Sequence, residues 1–176
     1  EGEVTVKGGK GKNVSVKDTS GSFKILNEYP VAEDTLPSGW KYANTAKTSI
    51  TATVASTAVL DLTESYGEGV ITVDGSKATI NAKIYGNDEN NVIKGSKGND
   101  TIGGGYGDDT VSLGGGADLY IYTGGNDLIQ DYATVDTIQF KTKINSAAVD
   151  GSNLIIVTDE GEVTVKGGKG KNVSVK

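Results

Sequence analysis

The sequence contains no cysteine, histidine or methionine, and each of its 17 basic residues is a lysine. Without histidine or cysteine, the chain cannot build a serine–histidine–aspartate or cysteine–histidine nucleophilic system, a histidine or cysteine zinc site, or the usual haem ligands. No apolar run exceeds four residues, so no stretch of the sequence is long enough to span a membrane. An acidic chain without arginine is also a poor candidate for binding nucleic acid. These absences exclude most catalytic chemistry and favour a structural or binding role.

Side chains that can fill a hydrophobic core are scarce. Apolar residues make up 35% of the 176-residue chain, which also contains 26 glycines. A chain of this length predicts one domain or two small ones, and so thin an apolar set indicates that something besides hydrophobic burial holds part of it together. The net charge of −6 is unevenly placed, because residues 86–136 carry −7 and the rest of the chain carries +1. The acidity therefore belongs to one segment.

The longest internal repeat joins the two ends of the chain. Residues 1–17, EGEVTVKGGKGKNVSVK, recur without a change as residues 160–176, at an offset of 159. An identical string of this length does not arise by chance, so the sequence predicts a tandem array whose period is close to that offset. The chain then corresponds to one full module preceded by the tail of another. An artificial duplication of one strand pair is the alternative.

A shorter repeat has a period of nine. Six units, which we number 1 to 6, cover residues 86–139: GNDENNVIK, GSKGNDTIG, GGYGDDTVS, LGGGADLYI, YTGGNDLIQ and DYATVDTIQ. The sixth place of the units holds Asn91, Asp100, Asp109, Asp118, Asp127 and Asp136. The eighth place holds Ile93, Ile102, Val111, Tyr120, Ile129 and Ile138. A flexible acidic linker has no reason to keep an apolar residue at every ninth position.

Each place in a unit has a physical task. Glycines at the start allow a tight turn, the sixth-place side chain offers oxygen ligands, and the following triplet forms a short strand with one inward side chain. Two units then make one coil of a parallel β-roll, so turns that are two units apart stack on the same edge. Stacked carboxylates repel one another unless a hard cation lies between them, and turn carbonyls complete an oxygen cage of the kind that Ca²⁺ prefers. One column contains Asn91, Asp109 and Asp127, and the other contains Asp100, Asp118 and Asp136.

The nonapeptides resemble a known family. Their pattern is similar to G-G-x-G-x-D-x-U-x, the calcium-binding repeat of the RTX (repeats-in-toxin) proteins, and GSKGNDTIG and GGYGDDTVS match it best. The resemblance implies that sixth-place side chains and the backbone of fourth-place glycines bind calcium between successive coils. The ligands carried over in this way are Asp100, Asp109, Asp118, Asp127 and Asp136, with Asn91 in the first unit and the backbone of Gly98, Gly107, Gly116 and Gly125.

The first and last units depart from this pattern. Unit 1 has Asn91 in place of aspartate and lacks the fourth-place glycine, and unit 6 has no glycine at all. We therefore expect fewer ions than units, about two to four. Asp108 and Asp131 fall outside the sixth place and are expected to cap turns or face solvent, and Tyr120 is expected in the core of the roll.

The segments that flank the roll are expected to form β-strands. Residues 1–17 and 160–176 alternate valine with polar residues on either side of GGKG, which is typical of a hairpin. Residues 138–143 and 153–158 are predicted to pair and, together with the C-terminal hairpin, to cap the open end of the roll. The predicted organisation has four parts: a terminal hairpin of the preceding repeat (1–17), an N-terminal β-rich region leading into the roll (18–85), the calcium-binding β-roll (86–139), and capping strands with a hairpin (140–176).

The sequence favours a structural and adhesive role. The predicted protein is an all-β, calcium-binding repeat module of a large secreted bacterial cell-surface protein, in which extracellular Ca²⁺ drives folding and rigidity, and the resemblance implies export by a one-step (type I) system. Neighbouring copies, in tandem or head to tail, are the expected partners and would form a rod or fibre; a glycan or host ligand is left open.

Two alternatives remain. One is the C-terminal secretion or β-helix part of an extracellular carbohydrate-active hydrolase, and the other is a surface-layer or carbohydrate-binding module. Paired carboxylates can hydrolyse glycosides, but calcium accounts for each well-spaced aspartate pair, so no enzymatic activity is expected.

Overall fold

The computed structural model describes residues 35–53, 59–64 and 67–176. The predictions for residues 1–17, and those for 18–34, lie outside the described residues. None of the described residues belongs to a helix capable of crossing a membrane. In chain order the strands are β1 (Trp40–Tyr42), β2 (Ser49–Ala52), β3 (Val59–Asp61), β4 (Thr72–Asp74), β5 (Lys83–Tyr85), β6 (Val92–Lys94), β7 (Thr101–Gly103), β8 (Thr110–Ser112), β9 (Leu119–Tyr122), β10 (Gly125–Ile129), β11 (Thr137–Phe140), β12 (Ile144–Asp150), β13 (Asn153–Thr158), β14 (Gly161–Val165) and β15 (Ser174–Val175).

From β2 to β11, successive strands alternate between two sheets. The first sheet has the order β1-β2-β4-β6-β8-β10-β14-β13-β12, and the second has the order β15-β11-β9-β7-β5-β3. Strands that neighbour each other along the roll are parallel, so that Ile93 is in register with Val111 and Ile102 with Tyr120. The members of each pair are separated in sequence by two nonapeptides. The predicted parallel β-roll with two units per coil is confirmed.

The core of the roll is a stack of eighth-place side chains. A three-residue strand turns its middle side chain to one face, and here that face is the interior. The eighth-place residues are all 0% exposed: Ile93, Ile102, Val111, Tyr120, Ile129 and Ile138. Tyr120 is therefore in the core, as predicted. With one such residue per unit, the interior is narrow, and the turns at its edges contribute much of the contact between coils.

The strands before the roll continue the same two sheets. β4 pairs in parallel with β6, and β3 pairs in parallel with β5. Val73 is in register with Ile93, although more than two nonapeptides of sequence separate them. The separation between Leu60 and its partner Ile84 is larger still. Longer turns therefore lead into the regular coils.

The prediction that residues 138–143 pair with residues 153–158 is wrong for the first of the two segments. β11 remains in the second sheet, where Ile138 pairs with Tyr120, because its eighth-place side chain needs the interior. β13 instead pairs antiparallel with β12, across a turn in which Gly151 has a φ of +59°. Residues 144–150 are all exposed and form the outer strand of the first sheet. The hairpin β12–β13 is thus an excursion from the roll.

The hairpin predicted for residues 160–176 is also wrong. β14 lies between β10 and β13 in the first sheet, whereas β15 pairs with β11 in the second. The two strands therefore do not pair with each other, and the segment forms one further coil that crosses from sheet to sheet. Val163 and Val165 of β14 are 0% exposed, so the alternating valines extend the interior of the roll. Alternation of valine with polar residues fits a solenoid strand as well as a hairpin strand. The burial of these valines in the roll favours β10 as the partner of β14.

Candidate metal centre

The sixth-place side chains stack in the two predicted columns. In one column the N–H of Asn91 donates to Asp109 Oδ1 at 2.8 Å, and the N–H of Asp109 donates to Asp127 Oδ1 at 3.0 Å. In the other column, Asp118 Oδ1 accepts from the N–H of Asp100 at 2.7 Å. Each carboxylate therefore accepts a hydrogen bond from a backbone N–H two units earlier in the sequence. It lies in the space between its own turn and the turn that stacks on it from the preceding coil. Burial is nearly complete, since the five sixth-place aspartates are 1–3% exposed.

Two of these carboxylates have an oxygen that no donor satisfies. Among the described residues, the buried side-chain N and O atoms without a hydrogen-bond partner are Asp109 Oδ2 and Asp118 Oδ2. Burial raises the pKa of each carboxyl to about 6, although a backbone N–H hydrogen bond to each lowers it. A buried, unpaired carboxylate oxygen is costly. A cation beside it would remove this cost.

Carbonyl oxygens of the preceding coil lie close to the turn that leads to Asp109. Gly107 has a φ of +100°, and a Cβ there would lie 2.8 Å from the carbonyl oxygen of Glu89, in the turn two units earlier. A Cβ at Gly105 would overlap the carbonyl oxygen of Asn87. Only glycine allows so close an approach in this conformation. We call the space between the turns of units 1 and 3, which also receives the Asp109 carboxylate, the Asp109 gap.

The second gap repeats this arrangement on the other edge of the roll. Gly116 has a φ of +114°, and a Cβ there would overlap the carbonyl oxygen of Gly98. A Cβ at Gly114 would likewise overlap the carbonyl oxygen of Ser96. The Asp118 carboxylate enters the same space, between the turns of units 2 and 4, which we call the Asp118 gap.

Both gaps fit a hard cation. Each brings together a carboxylate oxygen without a donor and turn carbonyls from the preceding coil, and Ca²⁺ prefers oxygen ligands of these kinds. No group of three or more His, Cys, Asp or Glu side chains that could hold a metal occurs among the residues that the structure describes. Backbone carbonyls would therefore have to supply most of the ligands.

The other three sixth-place aspartates are satisfied within the protein. Asp127 Oδ2 accepts from the hydroxyl of Tyr120 at 2.5 Å. Burial raises the pKa of Asp127 to about 7, against the lowering effect of this hydrogen bond. Asp100 accepts from the N–H of Ala82 at 2.6 Å and from Ser96. Asp136 accepts from the backbone N–H groups of Asp118 at 3.0 Å and Ala133 at 2.7 Å.

The side chain of Asn91 and the carbonyl of Gly125 lie outside the two gaps. Asn91 Oδ1 accepts from the N–H of Asn87 at 3.0 Å within its own turn, and its amide nitrogen donates to the Val70 carbonyl at 3.1 Å, towards the preceding coil. The carbonyl of Gly125 accepts from the hydroxyl of Tyr122 at 2.8 Å. Of the four predicted glycines, Gly98 directs its carbonyl into the Asp118 gap, while Gly107 and Gly116 permit the approach of the turns.

A second ladder, which the sequence analysis missed, runs through the fifth place of the units. Asn90 Oδ1 accepts from the N–H of Asp108 at 2.9 Å, Asn99 Oδ1 from that of Ala117 at 2.9 Å, and Asp108 Oδ1 from that of Asn126 at 2.8 Å. These bonds run in the opposite direction to those of the sixth place. The repeat itself could have predicted this ladder, since four of the six units have Asn or Asp in the fifth place.

Asp108 and Asp131, which the sequence places outside the sixth place, cap turns, as predicted. Besides the ladder bond of Asp108, Asp131 accepts from the backbone N–H groups of Leu113 at 2.7 Å and Gly114 at 3.2 Å. Neither carboxylate carries one of the unpaired oxygens, so both serve the geometry of the turns.

Comparison with known proteins identifies the repeats. The profile of the RTX calcium-binding nonapeptide repeat (4 copies) matches residues 85–120, a stretch that contains both gaps. A search of the curated proteins finds no match. The matched residues form regular coils of a parallel β-roll, a structural fold whose turns present oxygen ligands. Residues 85–120 are therefore RTX calcium-binding nonapeptide repeats within a parallel β-roll, and these repeats bind Ca²⁺.

Proposed function

We propose that this module belongs to a large secreted adhesin-type protein of the bacterial cell surface, and that extracellular Ca²⁺ folds and stiffens it. The observation that carries the proposal is the pair of buried carboxylate oxygens without donors, Asp109 Oδ2 and Asp118 Oδ2. A protein that kept these oxygens buried without a cation would lose stability. We infer a structural role rather than an enzymatic one, since the acidic groups at the turns serve cohesion between coils.

Ca²⁺ would bind in the two gaps defined above. In the Asp109 gap its ligands would be Asp109 and the carbonyls of Asn87 and Glu89. In the Asp118 gap they would be Asp118 and the carbonyls of Ser96 and Gly98. These ligands come from turns that are two units apart in sequence, so each ion would join two successive coils. Asn91, Asp100 and Asp136 would then hold the turns through hydrogen bonds instead.

Binding of this kind is coupled to folding. The ligands of each gap assemble only when two coils stack, so the binding free energy becomes folding free energy. Outside cells, sites with dissociation constants of roughly 10⁻⁴–10⁻³ M suffice, because calcium is present at millimolar levels. In units 1 to 3 the eighth-place residue is the one large apolar side chain that is fully buried, so this contribution matters most there.

The end of the module supports assembly in series. The segment that recurs at residues 1–17 forms, at residues 160–176, a coil that stacks on both β10 and β11. In a tandem array each module would thus end in a solenoid coil rather than in a separate hairpin, and successive modules would form a rod. Light scattering on chains with and without residues 1–17 tests whether this segment also joins separate chains; a monomer in both cases would contradict that contact.

A glycan-binding role gains no support from the tryptophan. Trp40 is only 6% exposed and packs in the core, so it is not available as a stacking platform. Of the aromatic side chains that the structure describes, Tyr106 is the exposed one, at 54%, and one exposed aromatic does not favour this second function over the structural one.

Circular dichroism during a calcium titration, with reversal by EDTA, tests the proposed function. We expect β-structure to form with calcium and to be lost with EDTA. The double variant Asp109→Ala/Asp118→Ala should raise the calcium midpoint by about tenfold or more, because each gap loses its charged ligand. Asp88→Ala removes an exposed carboxylate from the same block and should leave the midpoint unchanged. A spectrum already folded in EDTA and unchanged by calcium would refute the proposal.

A further inference from the structure

The third gap of the roll differs from the other two in one contact. Asp127 enters the space between the turns of units 3 and 5, which we call the Asp127 gap, and its Oδ1 accepts from the N–H of Asp109 at 3.0 Å. Its Oδ2 is not free, because the Tyr120 hydroxyl donates to it at 2.5 Å. The corresponding oxygens of Asp109 and Asp118 have no donor.

Tyr120 reaches this carboxylate from inside the roll. It occupies the eighth place of unit 4, where the units that stack on it, 2 and 6, have Ile102 and Ile138. An isoleucine ends within the core, whereas the longer phenol extends to the turn of unit 5. A Cβ at Gly104 would lie 2.9 Å from the Tyr120 hydroxyl, which places this hydroxyl at the turn of unit 3 as well. The hydroxyl thus lies at both turns that bound the Asp127 gap.

We propose that the Tyr120 hydroxyl closes the Asp127 gap to calcium, so that the roll binds Ca²⁺ in the Asp109 and Asp118 gaps but not in this third one. The inference rests on the proposed function, because it assigns which of the repeated gaps bind the ion. Both oxygens of Asp127 already have a donor, one from the backbone and one from the phenol.

The effect of Tyr120 on a third ion follows from hydrogen-bond energetics. To bind Asp127 Oδ2, calcium would have to displace a fully buried hydroxyl. A buried donor left without a partner weakens binding by about 10- to 100-fold. The Asp127 gap also has fewer glycines that allow the turns to approach closely. The second place of unit 5 holds Thr123, whereas units 3 and 4 have Gly105 and Gly114 there. The Gly107 carbonyl still lies at this gap, because a Cβ at Gly125 would overlap its oxygen.

Counting bound ions tests this inference on the full chain. Isothermal titration calorimetry and native mass spectrometry with Ca²⁺ should give two ions for the unchanged protein and a third for Tyr120→Phe, in which Asp127 Oδ2 loses its donor. Tyr122→Phe is the matched control: Tyr122 is equally buried, but its hydroxyl meets the Gly125 carbonyl and Thr158 rather than a carboxylate. Its ion count should stay at two. A third ion in the unchanged protein, or none gained in Tyr120→Phe, overturns the inference.

A second pair of variants keeps the test decisive if Tyr120→Phe does not fold. Asp109→Asn should lose one ion, whereas Asp127→Asn should keep both and shift the calcium midpoint less than about twofold, because Asp127 is not a ligand. Loss of an ion in Asp127→Asn contradicts the role of Tyr120 and leaves the calcium-binding function standing. Absence of calcium binding by the unchanged chain refutes that function itself, so the two failures are distinguishable.

Discussion

The substitution Gly116→Ala tests the close approach of stacked turns. It places a methyl group on a residue with a φ of +114° and directs it at the carbonyl oxygen of Gly98. The left-handed backbone costs an L-residue roughly 1–2 kcal/mol, and relief of the overlap adds about 1–2 kcal/mol. We therefore expect the free energy of unfolding to fall by about 3 kcal/mol. If about two calcium ions bind as the roll folds, the calcium midpoint rises about tenfold, since about 1.4 kcal/mol per ion corresponds to a factor of ten.

The neighbouring glycine provides a matched control. Gly115 belongs to the same turn, its φ lies outside the left-handed region, and the nearest atom to an added Cβ would be the Lys97 carbonyl oxygen at 3.8 Å. Gly115→Ala should therefore shift the midpoint by less than about twofold. Circular dichroism during calcium titration measures both variants. Equal midpoints for Gly115→Ala and Gly116→Ala would show that the turns do not approach as described.

Proton binding and the C-terminal coil give two further predictions. Burial raises the pKa of the aspartates in the Asp109 and Asp118 gaps to about 6 and that of Asp127 to about 7, so the calcium-free folded chain binds more protons than the unfolded chain, and its stability falls as the pH rises from about 5 to 8. Circular dichroism in calcium-free buffer should therefore show more β-structure at pH 5 than at pH 8, because protonation removes the charge of the buried carboxyls, and the reverse order would contradict this sign. Lys171 Nζ donates to the Tyr132 carbonyl at 2.7 Å, so Lys171→Met should cost about 0.5–1.5 kcal/mol in urea unfolding with saturating calcium. Lys169 is also exposed but lies outside this contact, so Lys169→Met should cost less than about 0.5 kcal/mol.

The roll could be predicted from the sequence because its pattern is local. Units 2 to 5 each contain their own turn glycines, acceptor side chain and inward residue, so the ninefold period specifies the turn and the strand together. The separation of two units between stacked turns then follows from the alternation of two sheets. For this reason the columns of Asp109 with Asp127, and of Asp100 with Asp118, follow from the sequence alone.

The C-terminal segment could not be predicted because the partners of its strands are distant in sequence. Alternating valines at 161–165 fit a hairpin and a solenoid strand equally well, and the choice depends on β10, which lies on the far side of β11, β12 and β13 in the chain. Residues 144–150 are exposed on both faces and show no alternation. The contact of Tyr120 with Asp127 is similarly hidden, because it depends on how far a phenol extends across the core.

The means of joining successive turns changes along the axis of the roll. At the Asp109 and Asp118 gaps a carboxylate oxygen has no donor, and the proposed cation would satisfy it, whereas at Asp127 the Tyr120 hydroxyl is the donor. At the last coil the donors are the Lys171 ammonium and the Ser174 N–H, which contact the carbonyl and the hydroxyl of Tyr132 at 2.7 and 2.9 Å. Donors attached to the chain need no ion, so the cohesion of the C-terminal coils depends less on calcium. On the proposed assignment of the two calcium sites, the dependence on calcium is concentrated in units 1 to 4, where glycines are most frequent.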